Sequence, residues 1–181
     1  MHIAIFGGSF DPIHLAHVAI VNNALQKLQI EKIFVVPTYL NPFKNSFKIE
    51  PETRFELLKK VFKNFTNVEV CDYEIRKNKA TYSIETVKYL KEKFNASKIY
   101  FIIGADNLEH LDKWSNIEEL KTLVEFVVAT RNGYNLEKAK EFQTLNIDIN
   151  ISSSQLREKL DLDFIPSEIK NEILDLEKQN K

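Results

Sequence analysis

A doubly wound α/β fold with a mostly parallel sheet and a small C-terminal helical part is what this sequence predicts, as one domain over residues 1–181, on three observations. Short, unbroken apolar runs recur along the chain, and stretches with apolar residues at helical spacing separate them. At 181 residues, 44% apolar and 28% charged, the chain has the size and composition of one globular domain. The βαβαβ order then implies a sheet whose ligands sit beyond the carboxyl ends of its strands.

The runs "HIAIF" (2–6), "KIFVVP" (32–37), "VEVCD" (68–72), "KIYFII" (98–103) and "EFVVA" (125–129) are rich in β-branched and aromatic residues, as suits strands buried on both faces. Residues 15–28 place Val18, Val21, Leu25 and Leu28 on one helical face, and 52–63 and 83–94 follow the same rule. Helices over 153–160, after "ISSS", and 167–178, after Pro166, close the chain, and the polar tail "EKQNK" is expected to fray.

A net charge of −1 speaks against a non-specific nucleic-acid binder while leaving room for a local cation cluster on a small anion. Cys71 is the only cysteine, so neither an internal disulfide nor a thiolate metal cage can form, which suits a cytoplasmic location. The first apolar run is too short for a signal peptide or a membrane span. The four glycines, Gly7, Gly8, Gly104 and Gly133, cannot spell either the dinucleotide fingerprint or the Walker loop. A nucleotide would have to be held by other means.

One such means is visible in "GGSFDPIHLAH" (7–17). The Gly7–Gly8 turn ends the first strand, the helix starts near residues 13–15, and His14 and His17 share a face of its first turn. That is the end of a helix that favours an anion, and imidazoles there can donate to phosphate oxygens, charged when the anion is present. On spacing alone the pair also fits an exposed surface pair or a metal site, although i,i+3 spacing without further ligands suits a metal less.

The same stretch resembles the [GT]-x-F-D-P-x-H-x-x-H signature of the nucleotidyltransferase superfamily with the (H/T)xGH motif, with Ala16 where the family has Gly. "ISSSQLR" (151–157) resembles its second motif, ISSTxxR, with Ser154 in place of Thr. Taken alone, three serines before a helix are N-cap material, and Arg157 lies one turn in, within reach of the same anion. "ATYSIETV" (80–87), "FIIGADNL" (101–108), Trp114 and "FVVATRNGY" (126–134) resemble the bacterial nicotinate-nucleotide adenylyltransferases in order and spacing. The phosphopantetheine adenylyltransferases share the two end motifs without this central set, and the glycerol-phosphate cytidylyltransferases match the first motif less well.

The resemblance implies adenylyl transfer from ATP to nicotinate mononucleotide, within NAD biosynthesis, with Mg²⁺ carried in on ATP and no dedicated metal ligands. It implies an ATP site from Gly7, Gly8, Ser9, Phe10, His14, His17, Gly104, Asp106, Arg131, Ser152, Ser153 and Arg157, with Asp106 accepting from ribose hydroxyls. The pyridine end is implied near Thr81, Tyr82, Ser83 and Trp114. Trp114 stands in polar "DKWSN", where stacking on a ligand and ordinary packing are both open readings. Ser115 replaces a frequent aromatic residue, and Phe43 a frequent histidine beside Lys44. Lys44 reads as a phosphate contact or as a plain solvated lysine. Catalysis is expected from His14, His17, Lys44 and Arg157, and Asp11 is expected to cap a turn rather than to act as a base. Amide-mononucleotide or phosphopantetheine transfer, and a nucleotide-binding protein without turnover, are the alternatives. The expected partners are the two substrates, without nucleic acid or membrane, in a monomer or a homo-oligomer.

Overall fold

The apolar runs assemble into a six-stranded sheet in the order β3-β2-β1-β4-β5-β6, with every neighbouring pair parallel. The computed structural model describes residues 1–131 and 137–179. Asn132, Gly133 and Tyr134 of the stretch 126–134, and the last two residues of the tail, lie outside the described residues.

In chain order the elements are β1 (His2–Gly8), α1 (Leu15–Lys27), β2 (Lys32–Pro37), α2 (Pro51–Val61), β3 (Val68–Val70), α3 (Tyr73–Lys77), α4 (Ser83–Lys93) and β4 (Lys98–Gly104). There follow α5 (Ala105–Leu108), α6 (Ile117–Leu123), β5 (Glu125–Arg131), β6 (Gln143–Ile147), α7 (Ser153–Glu158) and α8 (Lys170–Gln179). The five predicted strands and five predicted helices are present within a few residues of their expected ends. β6 and the short helices α3, α5 and α6 are additions to the sequence reading.

Strand side chains alternate between two cores. Ala4, Phe6, Val35 and Ile102 face Val21 and Ala24 of α1, Leu58 of α2, Leu156 of α7 and Ile173 of α8. Ile5, Val36, Phe101 and Ile103 face Val87 and Leu90 of α4 and Leu120 of α6. The buried face of α1 is Ala16, Ile20, Val21 and Ala24, and Val18 and Leu25 only flank it. Ordinary burial on both faces accounts for the unbroken apolar runs of the central strands.

The central pair, β1 and β4, carries the chain away in opposite directions across the sheet, β1 toward β2 and β4 toward β5. A crevice must open there, at the carboxyl ends, because successive connections diverge. Gly8 and Gly104 are the last residues of these two strands, rather than residues following them.

Candidate active site

The crevice is a cavity of about 980 Å³, and its walls include every site residue expected from the sequence. From β1 and the turn after it come Gly7, Gly8, Ser9 and Phe10; His14 and His17 stand at the start of α1. Gly104 and Asp106 come from the β4–α5 junction, Arg131 from the end of β5, and Ser152, Ser153 and Arg157 from the start of α7. Lys44 comes from the loop after β2, Thr81, Tyr82 and Ser83 from the start of α4, and Trp114 from the stretch before α6.

The imidazoles are held from several sides. His14 is the N-cap residue of α1, and its main-chain N–H donates to His17 Nδ1 at 3.2 Å. Because Nδ1 accepts, the remaining proton of a neutral His17 sits on Nε2. The two rings stack with centroids 3.7 Å apart, and Phe10 packs edge-on against His17 at 4.9 Å. Phe10 sits at φ 49°, and a Cβ on Gly8 would stand 3.1 Å from its ring, so the glycine leaves the space that Phe10 fills.

Burial, aided by the positive charge of Arg131, lowers the His14 pKa to about 3. Burial, then His14, then Arg131 push His17 well below its usual value. Both rings are therefore neutral donors at pH 7 in the free protein, because desolvation penalises the charged form. Ala16, one turn-step away, is 1% exposed and contributes its methyl to the cavity wall.

The second motif docks onto the first. Ser152 caps α7 through a reciprocal pair with Gln155, whose N–H donates to Ser152 Oγ at 3.2 Å. Ser153 Oγ donates to the Pro12 carbonyl at 2.8 Å, and Arg157 donates to the Asp11 carbonyl at 2.7 Å and to Ser154 Oγ at 3.0 Å. The Ser153 hydroxyl and the Arg157 guanidinium thus brace the two motifs together, while Ser152 and Ser154 bond within the second. Arg131 donates to the Ile151 carbonyl, fixing β5 to the same unit. Asp11 does not cap its own turn: its carboxylate accepts from the N–H groups of Lys48 at 2.8 Å and Ile49 at 2.9 Å. With both oxygens engaged, it is poorly placed to take a proton.

Lys44 Nζ donates to Ser9 Oγ at 3.4 Å, and burial followed by the Arg157 charge lowers its pKa. That places three cationic or donor groups, from β1, the β2 loop and α7, at one end of the cavity. Asp106 is exposed on the first turn of α5, and a Cβ on Gly104 would lie 2.4 Å from its Oδ1. Gly104→Ala therefore should fold normally while displacing Asp106, and the KM for ATP should rise about fivefold, the worth of a hydrogen bond. An unchanged KM would remove Asp106 from the nucleotide site.

At the other end, Trp114 stands edge-on to Phe101 at 6.0 Å and to Phe126 at 6.5 Å, and it also lines the cavity. The two readings left open for it are therefore compatible: one edge packs on the core while the residue contributes to the cavity wall. The N-cap of α4 is Tyr82, and Glu85 Oε1 accepts from its N–H at 3.4 Å. Thr81 Oγ1 instead donates to the Lys79 carbonyl at 3.2 Å.

Among the described residues, three buried side-chain polar atoms have no hydrogen-bond partner: His14 Nδ1, Thr38 Oγ1 and Glu74 Oε2. All three residues line this one cavity. Buried polar groups are normally satisfied, so orphans gathered in one cavity mark where a polar ligand completes the protein. Sequence reading missed Thr38, Glu74 and Arg54. Arg54 had a signal, since it falls on the apolar stripe of α2 with Leu57, Leu58 and Val61. Among the described residues no group of three His, Cys, Asp or Glu side chains could hold a metal ion.

Residues 5–159 match the cytidylyltransferase-like family. The chain belongs to that family. It is 62% identical over its whole length to the whole of a protein of Aliarcobacter butzleri named "Probable nicotinate-nucleotide adenylyltransferase". A protein of the same name from a Nitratiruptor species is 47% identical, with 96% of this chain and 97% of that one covered. Among solved structures, the nicotinic acid mononucleotide adenylyltransferase of Plasmodium falciparum, described in complex with NaAD, superposes with a TM-score of 0.77. That match is 25% identical and covers 96% of this chain and 95% of the other. The cavity lies at the β1/β4 switch point, where a sheet of this topology holds its ligands.

Proposed function

We propose that this protein transfers the adenylyl group of ATP to nicotinate mononucleotide, forming nicotinate adenine dinucleotide and pyrophosphate in NAD biosynthesis. The observation that carries the reading is one cavity lined both by His14, His17, Lys44, Arg131 and Arg157, which can donate to phosphates, and by Trp114 and the first turn of α4. The names of the full-length relatives support the same substrate pair.

The phosphate of the mononucleotide attacks the α-phosphorus of ATP as the bond to the bridging oxygen of pyrophosphate breaks. A phosphate monoester has a second pKa near 6 and is already mostly ionised at neutral pH, so no general base is needed. What remains is to align two anions and to stabilise charge on the transferred group and the leaving pyrophosphate. His14, His17, Lys44, Arg131 and Arg157 are the donors for that work, and Asp106 is the acceptor for ribose hydroxyls. Among the described residues the acids in the cavity wall are Glu74 of α3 and Asp106 of α5, and Mg²⁺ would arrive on the triphosphate. When bound there, Mg²⁺ supplies charge neutralisation of the phosphates. The whole chain works as one nucleotidyltransferase domain, in the cytoplasm.

Pyrophosphate release, with product analysis, across nicotinate mononucleotide, nicotinamide mononucleotide and phosphopantetheine tests the reading. Turnover should be fastest with the first. Fastest turnover with phosphopantetheine overturns the substrate assignment, and ATP binding without turnover on any of them overturns the activity.

Trp114→Ala should raise the KM for the mononucleotide about three- to tenfold, the range expected of lost ring stacking, with ATP affinity near normal. Trp114→Phe should recover most of the loss. A variant whose melting transition collapses, with substrate affinity intact, would assign Trp114 to the core alone.

A further inference from the structure

Arg54 is the largest fully buried side chain among the described residues, at 1% exposure, and it occupies a position on α2 where an aliphatic residue would fill the core. Four of its five N–H donors are spent on main-chain carbonyls. Nε donates to Ile49 at 2.9 Å, Nη1 to Ser9 at 2.6 Å and Thr38 at 2.8 Å, and Nη2 to Tyr39 at 2.9 Å. Burial lowers its pKa, and the charges of Asp11, Glu52 and Glu50 oppose that shift.

Those acceptors lie on three stretches of chain. Ser9 belongs to the turn after β1, beside the polyphosphate end of the cavity. Thr38 and Tyr39 leave β2, and Ile49 enters α2, so they are the two stems of the loop that carries Lys44. Asp11 reinforces the second stem through the Lys48 and Ile49 N–H groups, and the Phe47 ring lies 5.7 Å from the Arg54 guanidinium carbon. The result is a loop whose tip is exposed, at Pro42 to Ser46, but whose two stems are closed on each other and onto the β1 turn. In that closed arrangement Lys44 Nζ stands 3.4 Å from Ser9 Oγ.

We propose that Arg54 is a positioning residue for adenylyl transfer, which clamps both stems of the 38–49 loop to the turn after β1 and thereby delivers Lys44 to the phosphates. This inference rests on the reading given under the proposed function. The planar fork is essential to it. Lysine puts its three donors at a single point and cannot reach carbonyls spread around a guanidinium. Methionine fills the same stripe with no donor.

The test is steady-state kinetics and melting of Arg54→Lys, Arg54→Met, Lys44→Ala and the Arg54→Lys/Lys44→Ala double variant with ATP and nicotinate mononucleotide. Both Arg54 variants should lower kcat on the order of 10²-fold, the cost of misplacing a group by about 1 Å, with the mononucleotide KM within threefold. Lys44→Ala should cost at least tenfold in the wild-type background and less than twofold beside Arg54→Lys, because groups that act as one unit do not add. Activity of Arg54→Lys within threefold of wild type, or additive losses in the double variant, overturns the proposal. Should neither Arg54 variant fold, Asp11→Asn loosens the same stem with Arg54 in place, and additivity with Lys44→Ala there overturns it equally. A wild-type protein that releases no pyrophosphate overturns the adenylyl-transfer reading instead. The clamp is then read from ATP affinity, with the same non-additivity expected and additivity again fatal to it.

Discussion

Replacing either motif histidine, His14→Ala or His17→Ala, should lower kcat on the order of 10²-fold or more while changing the mononucleotide KM far less. The reason is where the imidazoles stand: both line the cavity beside the place proposed for the phosphates, neutral and stacked, and His17 presents Nε2–H because its Nδ1 is occupied. Charge grows on the phosphates only as the bond breaks, so a donor aimed there is worth most in the transition state. His17 also caps α1, so truncation to alanine carries a stability loss of about 1 kcal/mol that must be separated from catalysis. His17→Gln does so, because glutamine at the third helical position can still accept the cap N–H. It should melt like wild type and remain as slow as the alanine variant. Steady-state kinetics unchanged within threefold for the alanine variants would sink the assignment.

The low pKa of His14, about 3 in the fold, has its own consequence. The unfolded chain binds the proton near pH 6.5, so between pH 6.5 and 3 it holds more protons than the native state. Stability is therefore intact above about pH 6.5 and falls as the solution is acidified through that window. His14→Asn should flatten this acid limb in melts taken across it, and an unaltered limb would assign the acid sensitivity elsewhere.

Where side chains are dictated by burial on both faces, the sequence was legible: β1, β2, β4 and β5 are unbroken apolar runs because two helical layers cover them. β6, "QTLNI", was not, since its polar Gln143 and Asn146 are exposed at the sheet edge and break the run. The short α3, α5 and α6 are one or two turns each, too brief to show a period. The site residues were legible as motifs, yet their charge state was not. The spacing of the pair reads the same whether the rings are exposed or buried, and it is burial, with the charge of Arg131 acting on His14 and those of His14 and Arg131 on His17, that makes both neutral. Arg54 was within reach of a sequence reading, as a cation on an apolar stripe. Glu74 was not, because its burial comes from tertiary packing around α3 and α4, with no pattern in "CDYEIRK" to announce it.

Glu74 bears on the choice between acid and amide. The kcat/KM for nicotinate mononucleotide should exceed that for nicotinamide mononucleotide by at least tenfold at pH 6, and the ratio should shrink as pH rises through 7. The first part follows from α4, whose first turn opens on the cavity at Tyr82 and Ser83. First-turn N–H groups and the helix dipole favour a carboxylate, whereas a carboxamide is neutral and turns its NH₂ donors toward donors. Hydrogen bonds to a charged acceptor are worth about 1.5–3 kcal/mol, or roughly 10- to 150-fold. The second part follows from Glu74, which lines the same end of the cavity, accepts from Thr86 Oγ1 at 2.6 Å and leaves Oε2 without a partner. Burial raises its pKa to about 7, against the Thr86 hydrogen bond and with the help of Glu85. Glu85 itself is partly neutralised by Lys77, 3.6 Å away. Below pH 7 Glu74 is a neutral acid, and above it a second negative charge that repels the ring carboxylate but not the carboxamide. The phosphate of both mononucleotides titrates alike near pH 6, so it cancels in the ratio. Measuring kcat/KM for both substrates from pH 6 to 8.5 should therefore show a falling ratio in the wild type and a flat one in Glu74→Gln. A flat wild-type ratio would remove Glu74 from specificity, and equal rates or a preference for the amide at pH 6 would overturn the choice of the acid while leaving adenylyl transfer standing.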